Sequence, residues 1–238
     1  GTNDLGKVVL TKRLSRAKLP KFVAKLSPCL IGMEACGSAN YWARKFKSFG
    51  HEVKLISPQF VKPYVKTNKN DFNDAEAICE AVTRPNMRFV PIKKVSQQDM
   101  QSLHRIRSQL IQSRTAKANQ VRGLLAEYGI VIPKDIHNVR KMLPIILEDV
   151  ENELSCLMRR ELHNLYTDLL NLDNRIEKEE IAIKEIYNSN ESCKRISEIE
   201  GIGMLTATAV VSAIGDPSTF KNGRAFSAWL GLVPKQSS

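Results

Sequence analysis

Cysteine is scarce in this chain and widely scattered. Cys29, Cys36, Cys79, Cys156 and Cys193 form no Cys-x-x-Cys pair, and five is an odd count. That argues against a zinc site or a disulfide framework and fits a reducing compartment, where each is a small core or surface residue. Long apolar runs are missing as well. Nothing approaches the roughly 18 consecutive apolar residues of a membrane-spanning helix, and no secretory pattern opens the chain. The four histidines (His51, His104, His137 and His163) lack metal-ligand spacing. His104 is read as joining a basic face, and the others as surface or cap residues. Acid is in short supply: 25 Asp+Glu stand against 36 Lys+Arg, for a net charge of +11. Such an excess favours a polyanionic partner, nucleic acid before an anionic membrane. A cytoplasmic, nucleoid-associated protein is expected.

What the chain does have is enough apolar residue, 42% of 238, for one large domain or two ordinary ones. It opens on Gly1-Thr2-Asn3 without an initiator Met. It stops at Pro234-Lys235-Gln236-Ser237-Ser238, soon after an apolar helix. It reads as a fragment cut at both ends.

The first part alternates strand and helix patterns. Residues 7–14 read as an edge strand, Ala17–Leu26 as a short helix and Leu30–Ala35 as a buried strand. Tyr41–Phe49 reads as a helix closed by Gly50, and Glu52–Ile56 as a second buried strand. Asp71–Val82 follows as a helix, and 89–92 as a short extended piece. This predicts an α/β domain with a largely parallel sheet over residues 1–95. From Ser96 the texture becomes helical. Leu103, Ile106, Leu110, Val121 and Leu124 mark one helix over 100–126, closed by Gly129 and Pro133. After a linker, Leu154, Met158, Leu162, Leu165, Leu169, Leu172, Ile176 and Ile183 mark a long helix with coiled-coil character. The two predict an antiparallel helical hairpin over 96–190. A third unit, 191–238, contains Glu200-Gly201-Ile202-Gly203-Met204 between two helical patterns. It resembles a helix-hairpin-helix, whose loop amides at Gly201 and Gly203 can face a phosphate. Trp42 and Trp229 are both assigned to the core.

Two constellations carry chemistry. Asp71 and Asp74 stand one turn apart on one helix face, and Glu34 ends a buried strand. Neighbouring carboxylates repel unless a cation lies between them, so the three suggest a Mg²⁺ site for phosphodiester chemistry. The plainer reading makes Asp71 an N-cap and Glu34 a paired carboxylate. The second constellation is Arg105, Arg107, Arg114, Lys117 and Arg122, with no acid among them between Asp99 and Glu127. Cations along one helix can track a phosphate backbone, or simply face solvent. A nucleic-acid-binding scaffold whose acids are caps therefore stays open, as does a RuvC-type nuclease that cuts with water.

Five stretches taken together carry a resemblance. They are Ile31-Gly32-Met33-Glu34-Ala35, Lys69-Asn70-Asp71-Phe72-Asn73-Asp74-Ala75, Arg122-Gly123-Leu124-Leu125-Ala126-Glu127-Tyr128-Gly129, Glu200-Gly201-Ile202-Gly203 and Phe226-Ser227-Ala228-Trp229-Leu230-Gly231-Leu232-Val233-Pro234. In this order they resemble the insertion-sequence transposases with a RuvC-like DEDD domain and a C-terminal serine-bearing domain. That group includes the Piv-type invertases and recombinases guided by a structured RNA. The resemblance implies an RNase-H-like mixed sheet, a coiled-coil linker and a helical C-terminal domain. It implies that Glu34, Asp71 and Asp74 are three of four Mg²⁺-binding acids. The first acid is not Asp4, whose surroundings match the turn after that motif. The nucleophilic serine is expected just past Ser238, with Ser238 itself as the fallback. The implied activity is DNA cleavage and rejoining through a phosphoserine link, in a dimer or tetramer with DNA and a guide RNA. A chain short of these groups is expected to bind nucleic acid without rejoining it.

Overall fold

The computed structural model describes residues 1–3, 5–65, 70–215 and 217–232. They fall into two compact units: 1–94 with 214–238, and 95–213.

The first unit is built on a three-stranded sheet. β1 (Leu30–Glu34) runs parallel to β2 (Glu52–Ile56), and β3 (Phe89–Val90) returns antiparallel along β2. The sheet is thus mixed, where the alternating pattern predicted mostly parallel strands. A two-residue strand that doubles back beside Leu55 and Ile56 leaves no such trace in a pattern. α1 (Leu19–Val23) and α2 (Ala39–Ser48) build one core with the sheet around Val23, Ala43, Phe46, Val53 and Leu55. α3 (Pro58–Val61) and α4 (Asp71–Val82) build another around Ile56, Val61, Ala77, Ala81 and Val82. The strand predicted over 7–14 is absent. Val8 makes a single bridge to Thr2, and Val8 and Val9 are exposed. Alternation without a sheet neighbour to receive it does not make a strand.

At Gly32, α4 packs closely on β1. A Cβ at this position would lie 2.9 Å from Ile78 Cγ2 and 3.0 Å from Val82 Cβ. The missing side chain therefore lets the helix that starts at Asp71 lie against the strand that ends at Glu34.

The second unit is helical. α5 (Val95–Ala126) and α7 (Cys156–Ser189) pack as a long hairpin, with α6 (Ile136–Glu148) laid against both. Along α7 the buried residues are Leu162, Leu169, Ile176 and Ile183, each seven beyond the last. That spacing is a coiled-coil seam and confirms the periodicity read from sequence. Three expectations need correction. Residues 136–148, read as linker, are α6. Its internal Pro144 broke the pattern, yet Asp135 caps its start by accepting from His137 N at 2.8 Å. Ile106, assigned to the apolar set, is 42% exposed. α5 also begins at Val95, five residues before the predicted start. α8 (Glu191–Ser197) and α9 (Met204–Ile214) close the unit around Met100, Cys193 and Ala207. α10 (Gly223–Trp229) belongs to the first unit. There Trp229 packs with Phe220 and Phe226 but remains 49% exposed, so it is not a core residue. Trp42 is half-buried against the α1–α2 core, as predicted.

Candidate functional site

Glu34 is the last residue of β1, half-buried and paired in register with Ile56. Asp71 and Asp74 lie in the first turn of α4. The cap of that helix is Asn70, whose side-chain oxygen accepts from Phe72 N at 3.0 Å and Asn73 N at 2.9 Å. Asp71 is therefore the first helical residue and not the cap that the plainer reading made it. The orphan amides it was thought to satisfy already have a partner. Both aspartates still gain from the positive end of the helix dipole. Asp71 points into solvent. Its nearest cation is Arg13, 3.9 Å away, with both side chains 86% exposed.

Carboxylate oxygens are the hard donors Mg²⁺ takes, so the chemistry of the donor set suits that ion. The grouping does not appear. Among the described residues no three His, Cys, Asp or Glu side chains gather where they could hold a metal. The structure places Glu34 on β1, puts Asp71 and Asp74 on the helix packed against it, and does not bring the three together as one ligand set.

Most cations of the basic helix face partners of their own. Four of its five cations are engaged within their own unit. The guanidinium of Arg107 donates to Glu180 Oε1 through Nε at 2.8 Å and Nη2 at 2.6 Å. Arg114 donates to Asp173 at 3.0 Å, and Lys117 to Asp168 at 2.7 Å. Arg122 Nε donates to the Ile132 carbonyl at 3.1 Å. Arg140, from α6, also grips Asp173 through both carboxylate oxygens. Seven residues on from Arg107, Arg114 meets the acid seven residues back from Glu180, as an antiparallel pair requires. Of the five, only Arg105 is exposed without a side-chain partner among the described residues. The acids missing from α5 are supplied by α7, 51 to 73 positions away in sequence.

Two helices flank the glycines that the sequence placed in a helix-hairpin-helix-like unit. α8 and α9 are joined through Gly201, whose φ of +83° is the left-handed turn that favours glycine, and Gly203. A Cβ at either glycine would meet nothing within 4 Å, so the turn is open on that side. His104 does not join a basic face. Its Nε2 lies 2.9 Å from the hydroxyl of Thr208, a fully buried residue of α9. That hydroxyl donates its own hydrogen to the Met204 carbonyl at 2.8 Å, so it accepts from His104. Burial, then the charge of Arg107, holds the His104 pKa below the usual histidine value. His51 is buried as well, against the expected surface position. It bridges Val23 O at 3.1 Å and Cys29 N at 3.3 Å.

Asp4, Lys69 and the tail that holds Ser238 lie outside the described residues. One signal went unread in the sequence. From Leu5 to Met33 there are seven Lys and Arg and no acid. Three of them, Lys18, Lys21 and Lys25, fall at helical spacing on and beside the short α1.

Comparison with known proteins gives these residues their context. A DEDD transposase model of the IS110 type matches residues 3–130, and the model of the transposase IS116/IS110/IS902 family matches residues 193–238. The transposase for insertion sequence element IS1111A of Coxiella burnetii is 47% identical over 238 residues, which are all of this chain and 65% of that protein. The transposase for insertion sequence element IS1328 of Yersinia enterocolitica is 41% identical over 233 residues, 98% of this chain and 69% of that protein. The chain thus spans about two thirds of the length of these relatives. Family models over both of its parts, together with relatives aligned along its whole length, establish that the chain belongs to the IS110 family of DEDD transposases.

Proposed function

We propose that this chain forms the DEDD domain, the linker and the start of the serine-bearing domain of a DNA transposase that cuts and rejoins DNA to move an insertion sequence. Glu34, Asp71 and Asp74 are three of its Mg²⁺ ligands, and a serine at or just past Ser238 is its nucleophile. The observation that carries the reading is the packing of α4 on β1 at Gly32. Two elements 37 residues apart in sequence, one ending in an acid and the other beginning with two, are packed partners. Asn70 supports it, because it relieves Asp71 of any capping role. Bound Mg²⁺ would stabilise the charge that develops on a phosphate during strand cleavage. The side chains contribute oxygen donors held on a strand end and on the first turn of a helix. Both positions belong to rigid elements. The α5–α7 hairpin serves as the oligomerisation element and a structured RNA as a further partner, both by kinship.

The test uses a chain of the relatives' full length, a supercoiled plasmid carrying the element junction, and Mg²⁺. A covalent protein–DNA adduct is expected. Asp71→Ala and Asp74→Ala each lower its yield by 100-fold or more, on the order of 3 kcal/mol of lost transition-state stabilisation. An adduct that survives both substitutions overturns the assignment of these acids. Nicking that requires Asp71 but leaves no adduct points instead to hydrolysis by a RuvC-type nuclease.

A further inference from the structure

The acid-free run from Leu5 to Met33 lies in the first unit, and its cations differ from those of α5 in what faces them. Lys18, Lys21 and Lys25 are exposed and have no side-chain partner among the described residues. Arg13 has only Asp71 at 3.9 Å, a fully solvated pair that screening reduces to little. Of the other three, Lys12 and Arg16 rest on aromatic rings. Lys12 Nζ lies 4.8 Å from the centre of the Phe22 ring. The guanidinium of Arg16 lies 5.0 Å from that of Trp42 and donates to Ser38 Oγ at 3.4 Å. On α2, Lys45 Nζ lies 5.7 Å from the Tyr41 ring and 3.4 Å from its hydroxyl. Tyr41 and Trp42 meet edge-on at 5.0 Å, so Arg16, Trp42, Tyr41 and Lys45 form one continuous row.

The rings are anchored. Phe22 and Trp42 pack against the core of Val23, Ala43 and Phe46. A cation seated on an anchored ring is already restricted and loses less freedom when it meets an anion. These rings have cations over them, which leaves less of their faces open for bases to stack on. What the surface offers outward is positive charge at fixed points, with no built-in means of reading sequence.

We propose that the face formed by residues 12–25 and α2 docks the phosphate backbone of duplex DNA, independently of base sequence. The choice of DNA among polyanions rests on the transposase reading. The binding itself follows from the unpaired cations.

The 238-residue chain is titrated into fluorescently labelled duplexes of two unrelated sequences and a labelled RNA hairpin, in EDTA, over a series of salt concentrations, with anisotropy as the readout. The triple variant Lys18→Gln, Lys21→Gln and Lys25→Gln is expected to flatten the slope of log K against log salt by about 2 to 3, near 0.9 per lost phosphate contact. Affinity at 0.1 M salt should fall about tenfold or more, equally for both sequences. A control triple carries the same charge change on the helical unit: Lys134→Gln, Lys141→Gln and Lys178→Gln. It should move the slope by less than about 1. Melting followed by circular dichroism should match the parent for both triples, since all six lysines are exposed. Equal losses in the two triples, or an unmoved slope in the first, would overturn the surface while leaving the transposase reading intact. A loss confined to an RNA hairpin, with duplex binding unchanged, would overturn the choice of DNA. A parent chain that binds no duplex at all would overturn the DNA reading along with the surface.

Discussion

Two stretches of this chain are rich in cations and free of acid, and they come to opposite ends. On α5, Arg107, Arg114 and Lys117 each meet an acid of α7, and Arg122 meets a backbone carbonyl. Between Leu5 and Met33 no acid comes within 4 Å of Lys18, Lys21 or Lys25 among the described residues, and Arg16 and Lys12 rest on rings instead. Those cations of α5 are engaged within their own unit, and Lys18, Lys21 and Lys25 remain available. A charge run therefore shows its purpose only once the surface opposite it is known.

The largest effect is expected from removing the acid that α5 and α6 share. Asp173 accepts from both Arg114 and Arg140 and is 22% exposed. Asp173→Ala leaves two half-sheltered cations unpaired. It should cost about 2 to 3 kcal/mol in urea unfolding, a buried-pair penalty discounted for partial exposure. A cost under about 0.5 kcal/mol would mean that the ladder is ornamental. The next variant crosses the two regions. Arg107→Gln should cost about 1 kcal/mol, because Glu180 is more exposed. It should leave the salt dependence of DNA binding nearly unchanged. Loss of DNA binding without loss of stability would return α5 to the nucleic-acid face assigned to it from sequence. The smallest effect belongs to His104. Its pKa is depressed in the fold, so the unfolded chain takes up a proton first as pH falls through the usual value of 6.5. The contribution is fully present above that range and is lost as pH falls below it. His104→Gln should flatten the stability profile between about pH 7 and pH 5, and an unchanged slope would sink the assignment.

The sequence shows best what local pattern determines. β2 and α4 occupy the predicted residues, β1 and α2 differ at their ends, and the leucine seam of α7 recurs as read. The family is also legible, because its motifs are short and ordered. Long-range pairing is where the reading fails. The partners of Arg107 and Lys117 lie more than 50 residues away. His51 becomes a core residue only because Val23 and Cys29 supply partners from other elements. Helix α6 hides behind Pro144, and the strand expected over 7–14 has only one bridging partner. For the candidate acids, sequence locates the elements that carry them. It gives no account of Asn70, the neighbour that takes over the capping duty.

The ladder between α5 and α7 also bears on how the hairpin finds its alignment. Two leucine-lined helices can slide past each other by one heptad and still bury leucine. Here such a slide one way sets Arg114 opposite Tyr166. The other way sets Arg107 opposite Tyr187 and Lys117 opposite Arg175. Each misalignment forfeits at least one ion pair, and one of them adds a repulsion. The charges act as ratchet teeth on an otherwise smooth track, and the native alignment is the one that keeps all three pairs.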